Sequence, residues 1–171
     1  MKILKFGGSS VATADRIKSV IQIVIPIVAK ERIAIVFSAF GGVTDMLISL
    51  SNLALAGDLD YKIELERLEK RHLDAVRDLI GVQRQSSFLA QVKFMINELD
   101  DILHGVFLVK ERTPRTLDYI MSFGERLSTY IISEAFCDRG MTAEFLDART
   151  VVRTDNHFGH AVRHRDTWCG G

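Results

Sequence analysis

Cysteine is scarce in this chain of 171 residues. Cys137 and Cys169 are the only two, too few and too badly spaced for a disulfide framework or a cysteine-based zinc site. An excess of charge of one sign is also missing. Twenty-two basic residues offset twenty-two acidic ones, so net charge gives no argument for a nucleic-acid or anionic-membrane partner. No uninterrupted apolar stretch is long enough to cross a bilayer, since the run from Val20 to Val28 is short and contains Gln22 and Pro26. The N-terminus lacks the layout of a secretory signal, its apolar run being broken by Lys5 and the glycines that follow. Internal repeats, linkers and low-complexity segments are absent, so one domain in a reducing, cytoplasmic setting is the expectation. Apolar residues, by contrast, are plentiful. A hydrophobic fraction of 47% and a mean hydropathy of +0.13 fit a well-buried globular protein and exclude a disordered one.

The opening is the most informative stretch. Residues 2–6 form a short apolar run carrying Lys5, then come Gly7 and Gly8, then a helical pattern. A strand–Gly-Gly–helix junction turns backbone N–H groups and a helix N-terminus toward one spot, which suits a phosphate. The same glycines also serve a plain βα turn that needs positive φ, and the local pattern leaves both readings open. Ile33 to Phe37 read as a second strand, and Ile17, Val20, Ile21, Val24 and Val28 as the crossover helix, with Pro26 expected to kink it or end it early. Both strand runs are continuously apolar, as expected for parallel strands covered on both faces. A second glycine turn, Ser38-Ala39-Phe40-Gly41-Gly42-Val43-Thr44-Asp45, leads into a helix with Met46, Leu47, Leu50, Leu53 and Ala54 on one face. In a parallel sheet both glycine loops open at the same edge, where such sheets bind ligands.

The middle is helical. Leu65, Leu68, His72, Leu73, Val76, Leu79 and Ile80 make one stripe, and Leu89, Val92, Met95, Ile96, Leu99, Ile102 and Leu103 another. His72 reads as a hydrogen-bonded boundary residue, and the alternating charges from Glu64 to Arg71 as a solvated face. After Pro114 a long helix is expected from about Thr116 to Cys137. Its apolar stripe holds Leu117, Ile120, Met121, Leu127, Ile131 and Ala135, and Gly124 marks a close approach. Periodicity puts Glu125 on the polar, solvent-facing stripe. Thr142 to Leu146 read as a third strand.

Together these residues resemble the aspartate kinase family. The matching pieces are Lys5 through Val11, Ser38-Ala39 through Val43-Thr44, and Ser122-Phe123-Gly124-Glu125-Arg126-Leu127-Ser128. Asp147-Ala148-Arg149 and Thr154 through Gly159 add to the match. The stretch from Leu103 to Ser128 looks most like the bifunctional aspartokinase–homoserine dehydrogenase branch. The resemblance implies an α/β, three-layer αβα amino-acid kinase (carbamate kinase-like) fold with a mainly parallel sheet, incomplete in this chain. It covers residues 1–162, the N-terminal portion of the kinase domain. Residues 163–171 match nothing expected and read as a disordered tail. Family members continue into a glycine-rich segment that supplies much of the nucleotide site, so this chain is expected to be truncated and inactive alone. Half of a doubly covered sheet should also leave apolar surface that favours self-association.

The resemblance implies ATP-dependent phosphorylation of the L-aspartate side chain to 4-phospho-L-aspartate, the first step of lysine, threonine and methionine biosynthesis. ATP with Mg2+ is the implied co-substrate, and the complete protein is expected to be a cytoplasmic homo-oligomer. No nucleic acid, membrane or protein-held metal is implied. By resemblance, Lys5 is catalytic and contacts the transferring phosphoryl, with Gly7, Gly8 and Ser9 closing on the phosphates. Ser9 stands where many members carry threonine and keeps the hydroxyl. Ser38, Ala39 and Thr44 line the aspartate pocket, and Glu125 meets the substrate's α-ammonium. Arg149 and Phe158 match family positions with a structural or a site role open to each. Two other functions stay in view: a kinase for another small acid such as glutamate or acetylglutamate, and a non-catalytic half-domain that binds aspartate or an oligomer partner. The spacing His157, His160, His164 and Cys169 imitates a zinc site, but His157 falls in a family segment that needs no metal.

Overall fold

The computed structural model describes residues 1–152 and Phe158. Its order is β1 (Lys2–Phe6), α1 (Ala14–Val28), β2 (Ile33–Phe37), α2 (Val43–Ala56), α3 (Asp60–Leu79), α4 (Val82–Val109), α5 (Pro114–Cys137) and a 3-10 turn at Ala148–Thr150. The zinc-like residues His157, His160, His164 and Cys169, and the tail 163–171, lie outside the described residues.

β1 and β2 pair in parallel, with Lys2 opposite Ile33 and Phe6 opposite Phe37. This register puts Leu4, Phe6, Ile35 and Phe37 on one face and Ile3, Lys5, Ala34 and Val36 on the other. The first face is packed: Phe6 stacks on Phe37 at 5.8 Å, and Phe37 meets Phe136 of α5 at 6.3 Å. The second is open, with Ile3 62% and Val36 51% exposed. Coverage on both faces is therefore not met among the described residues, because no helix lies against the Ile3–Val36 side. An exposed apolar face of this kind favours self-association.

Thr13 caps α1, its hydroxyl accepting from Arg16 N at 3.3 Å. Contrary to the expected early stop, α1 runs through Pro26 and ends at Val28. The ring sits in the last turn, where only one helical hydrogen bond is lost. α2 ends in a Schellman turn at Gly57, whose φ of 72° suits glycine: Asp58 N donates to Leu53 O and Gly57 N to Ala54 O. Thr113 and Pro114 start α5, with Thr116 N donating to Thr113 Oγ1 at 3.1 Å. The helix expected from Thr116 thus begins two residues sooner. α2 is the centre of the helical layer and touches α3, α4 and α5. Leu47 and Leu50 are fully buried there, each contributing about 2 kcal/mol of transfer free energy. The outer charges of α3 pair as Arg67–Glu64, Lys70–Asp74 and Arg77–Asp74 in solvent. The solvated face expected from Glu64 to Arg71 holds at Glu66, Arg67 and Lys70 but not at Arg71, which is half-buried and donates to Gly41 O and Ala12 O.

Two expectations need correction. Thr142 to Leu146 is extended, with Ala143 and Phe145 half-buried and their neighbours exposed, but it is hydrogen-bonded to no strand among the described residues. It packs on α5 instead: Cys137 Sγ donates to Ala143 O at 3.2 Å, and Phe145 meets Tyr130 edge-on. A strand needs a ladder as well as alternation, and this segment pairs with neither β1 nor β2. His72 is not at the boundary but fully buried. Nδ1 donates to Leu68 O at 2.7 Å, the ring stacks on Phe40 at 5.2 Å, and Nε2 has no partner among the described residues. Burial pushes its pKa down to about 4.

Two outcomes follow. Below the ordinary imidazole value of 6.5 and down to about 4, the unfolded chain binds a proton that the folded chain does not, so stability falls as pH falls through that window. Asp74 and Asp147, held low by hydrogen bonds from Lys70 and Arg149, add losses only in the carboxylate range below it. Urea midpoints measured across this range should flatten in His72→Leu, and an unchanged slope would assign it to other groups. At Gly124 a Cβ would sit 2.8 Å from Ala39 Cβ. Gly124→Ala should cost about 1–3 kcal/mol through overpacking, and Ala39→Gly in the same chain should recover most of it in chemical denaturation.

Candidate active site

The first loop, residues 7–13, leads from β1 into α1, and the second, residues 38–42, from β2 into α2. Their main chains lie against each other. A Cβ on Gly8 would stand 3.3 Å from Ala39 O, and one on Gly41 would stand 3.0 Å from Ala12 Cβ and 3.4 Å from Gly8 O. Any side chain at either position would push the loops apart. Ser38 N donates to Phe6 O at 3.1 Å, extending the parallel ladder into the second loop. Gly7 O accepts from Ser10 N at 2.9 Å, and Ser9 O from Arg16 Nη1.

α5 supplies the third wall. Ser128 Oγ donates to Ser38 O at 2.8 Å, with Glu125 O as a nearer-in-sequence acceptor at 3.1 Å. Gly124 lets Ala39, Val43 and Leu47 approach the helix. The turn carrying Glu125 is thereby pressed onto Ser38 and Ala39.

These contacts gather most of the sequence-derived candidates. Gly8 meets Ser38 and Ala39 directly, and the α5 turn of Glu125 meets the same pair. Thr44 is half-buried in the first turn of α2. Gly7 has open space where a Cβ would be. Lys5, Ser9 and Glu125 are exposed, and no hydrogen bond or ion pair links Lys5 to Glu125 among the described residues. Lys5 stands on the open face of the sheet, opposite Val36. Of two surface concavities of about 380 and 450 Å³, the first lies between α1 and α3 and takes in Ala12 and Thr13 of the first loop, Phe40 of the second and Arg71, and the second runs along α2. The candidate residues therefore form an open crevice edge.

The donors left over suit an anion. Gly42, with φ of 80°, caps α2 without a side chain, and the N–H groups of Thr44 and Asp45 find no acceptor among the described residues. Gly8 N and Ser9 N are likewise unbonded. Unpaired main-chain donors beside a lysine are the usual elements of a phosphate or carboxylate site. Among the described residues no group of three His, Cys, Asp or Glu side chains could hold a metal ion.

Sequence reasoning missed a clamp behind the α5 wall. Arg126 donates to Glu98 at 3.1 Å, comes within 3.9 Å of Asp147, and lies over the Phe123 ring at 4.4 Å. Arg149 grips Asp147 bidentately at 2.6 and 3.0 Å and lies over Tyr119. Hydrogen bonding from Arg149 holds the Asp147 carboxyl below its ordinary range, and the same contact raises Arg149. Burial opposes ionisation of Glu98, but hydrogen bonds from Tyr119 and Arg126 outweigh it and keep that carboxyl low. Arg149 thus has a structural role in this clamp. Phe158 lies under the Arg115 guanidinium at 5.7 Å. The sequence signals for the clamp were the Ser122 to Ser128 match, which holds Arg126, and the Asp147-Ala148-Arg149 match.

The Amino acid kinase family model matches residues 1–167. Aspartokinase 1 (chloroplastic) of Arabidopsis thaliana is 34% identical over 159 residues, covering 90% of this chain and 27% of that protein. Lysine-sensitive aspartokinase 3 of Escherichia coli (strain K12) is 30% identical over 167 residues, covering 93% of this chain and 33% of that protein. Bifunctional aspartokinase/homoserine dehydrogenase 1 (chloroplastic) of Zea mays is 30% identical over 148 residues, covering 86% and 16%. The solved structure of E. coli aspartokinase III in complex with aspartate and ADP superposes with a TM-score of 0.83 over 96% of this chain and 35% of that one, at 23% identity. The chain thus spans a third or less of the length of these curated relatives. The chain therefore belongs to the amino acid kinase family, and these relatives are aspartokinases of both the single and the bifunctional kind.

Proposed function

We propose that this chain carries the phosphate-loop and aspartate-pocket half of an aspartate kinase, which moves the γ-phosphoryl group of ATP onto the side-chain carboxylate of L-aspartate. The observation that carries this reading is the contact of Gly8 with Ser38 and Ala39 beside the α5 turn of Glu125. A phosphate loop and an amino-acid pocket must adjoin if the two substrates are to react.

The reaction needs no general base, because an aspartate side chain with an unperturbed pKa of about 3.9 is already ionised at neutral pH. What it needs is an anion held in line with a polyanion. Lys5 supplies a positive charge at the strand end, and the free N–H groups of Gly8 and Ser9 receive phosphate oxygens. The aspartate carboxylate lies at the second loop, near Ser38, Ala39 and Thr44. Glu125 pairs with the α-ammonium, which separates an amino acid from a plain dicarboxylate. Mg2+ arrives bound to ATP as part of the substrate. Its charge offsets the phosphates, and this chain's described residues provide it no carboxylate cage. By family resemblance a further glycine-rich segment completes the nucleotide site, so binding rather than turnover is the property to measure on these residues.

Calorimetric titration should show L-aspartate binding more tightly than succinate, glutamate or N-acetylglutamate. Preference for glutamate or acetylglutamate would transfer the reading to another small-acid kinase. Glu125→Gln should weaken aspartate about 10- to 100-fold, the worth of a charge-assisted hydrogen bond, and leave succinate unchanged. An unaltered aspartate affinity removes Glu125 from the pocket. Lys5→Ala should weaken tripolyphosphate by about tenfold or more at low salt with little change in thermal stability. Equal affinity in that variant takes Lys5 out of the mechanism.

A further inference from the structure

Arg71 stands on α3, a helix that contributes none of the residues assigned above to substrate. Its Nη2 donates to Gly41 O at 2.7 Å and to Ala12 O at 3.3 Å, and its Nη1 lies 4.0 Å from Met46 Sδ. Ala12 immediately precedes Thr13, the cap of α1. Gly41 immediately precedes Gly42, the cap of α2. One guanidinium therefore holds the residue before the N-terminus of each loop's helix. The charge is not spent on an acid: burial is what acts on Arg71, and no carboxylate partner bears on it among the described residues. Nearby Lys70 and Arg77, by contrast, both pair with Asp74 in solvent.

The two loops belong to successive βα units and approach each other closely at Gly8 and Ala39 and at Gly41 and Ala12. Both carbonyls are reached by one nitrogen, Nη2, whose two N–H bonds are held in the guanidinium plane, and this fixes the carbonyls' separation in a way that a freely rotating lysine ammonium does less well. We propose that Arg71 is a positioning residue that couples the phosphate loop to the aspartate loop, so that a polyphosphate on one favours an amino dicarboxylate on the other. A ligand that orders its own loop sets the carbonyl that Arg71 holds, and through Arg71 the other loop's carbonyl. Less ordering then remains for the second ligand. This inference rests on the loop assignments of the proposed function.

The test is a double titration of the full chain with tripolyphosphate and L-aspartate, each alone and each with the other saturating. It is run on the unaltered protein, Arg71→Lys, Arg71→Gln and the same-helix control Arg77→Gln. Saturating tripolyphosphate should tighten aspartate by about fivefold or more in the unaltered chain, within the usual range of coupling, and equally in Arg77→Gln. Coupling should fall to no effect in Arg71→Gln and to an intermediate value in Arg71→Lys. Hydrogen exchange without ligand adds a readout independent of binding. Amides in residues 7–14 and 38–45 should quicken together in Arg71→Gln, with those of α4 and α5 unchanged. Coupling in Arg71→Gln equal to that of the unaltered chain, or faster exchange in one loop alone, overturns the inference while leaving the loop assignments standing. Failure of the unaltered chain to bind either ligand overturns those assignments, and the coupling with them.

Discussion

The close approach of two glycine-bearing main chains is the constraint on which the rest of this structure depends. Parallel pairing of β1 with β2 delivers both loops to one sheet edge, but adjacency alone would leave side chains between them. With Gly8 against Ala39 O and Gly41 against the Ala12 methyl group, the loops approach with no room for a side chain at either glycine. Their remaining N–H groups stay available, and polar groups with no acceptor inside a protein persist at low cost only where water or a ligand can reach them. Gly124 repeats the device one layer down, bringing α5 onto the second loop. The three close contacts bring the first loop, the second loop and the α5 turn that carries Glu125 together.

Electrostatics follows the same division. The chain is neutral overall, yet its arginines are not distributed as a neutral average. Arg126 and Arg149 pair with Glu98 and Asp147 behind α5, and Arg71 is turned onto main-chain carbonyls. Lys5 makes no ion pair with an acid among the described residues. A paired lysine at that position would offer a substrate anion little, because its field would already be neutralised. The clamp also holds the extended segment after α5 against the helix through Asp147, so the wall that carries Glu125 is braced from behind.

Much of this was legible along the chain, and the misses have physical causes. Both strands, the α2 stripe and the close approach at Gly124 follow from apolar runs, 3.6-residue periodicity and a glycine inside a helix. Periodicity also gave the exposure of Glu125 correctly, although it says nothing about whether the exposed side faces bulk water or a crevice. His72 was misplaced because a histidine on an apolar stripe has the same spacing whether it stops at the rim or stacks beneath Phe40. Thr142 to Leu146 alternates as a strand does, but alternation reports one buried side and is silent on whether a partner strand is there to bond. Arg71 was invisible, because its neighbours in sequence form a solvated charged face and its acceptors lie thirty or more positions away.

By itself the sequence determined the local elements, the family and the two glycine loops, because helical and strand periodicities, caps and steric freedom at glycine act over a few residues. Tertiary structure alone decided which face of the sheet is open, which cations are already paired, and how the two loops are held at one distance. Those outcomes turn on contacts between segments far apart in the chain, where spacing along the sequence carries no information about spacing in space.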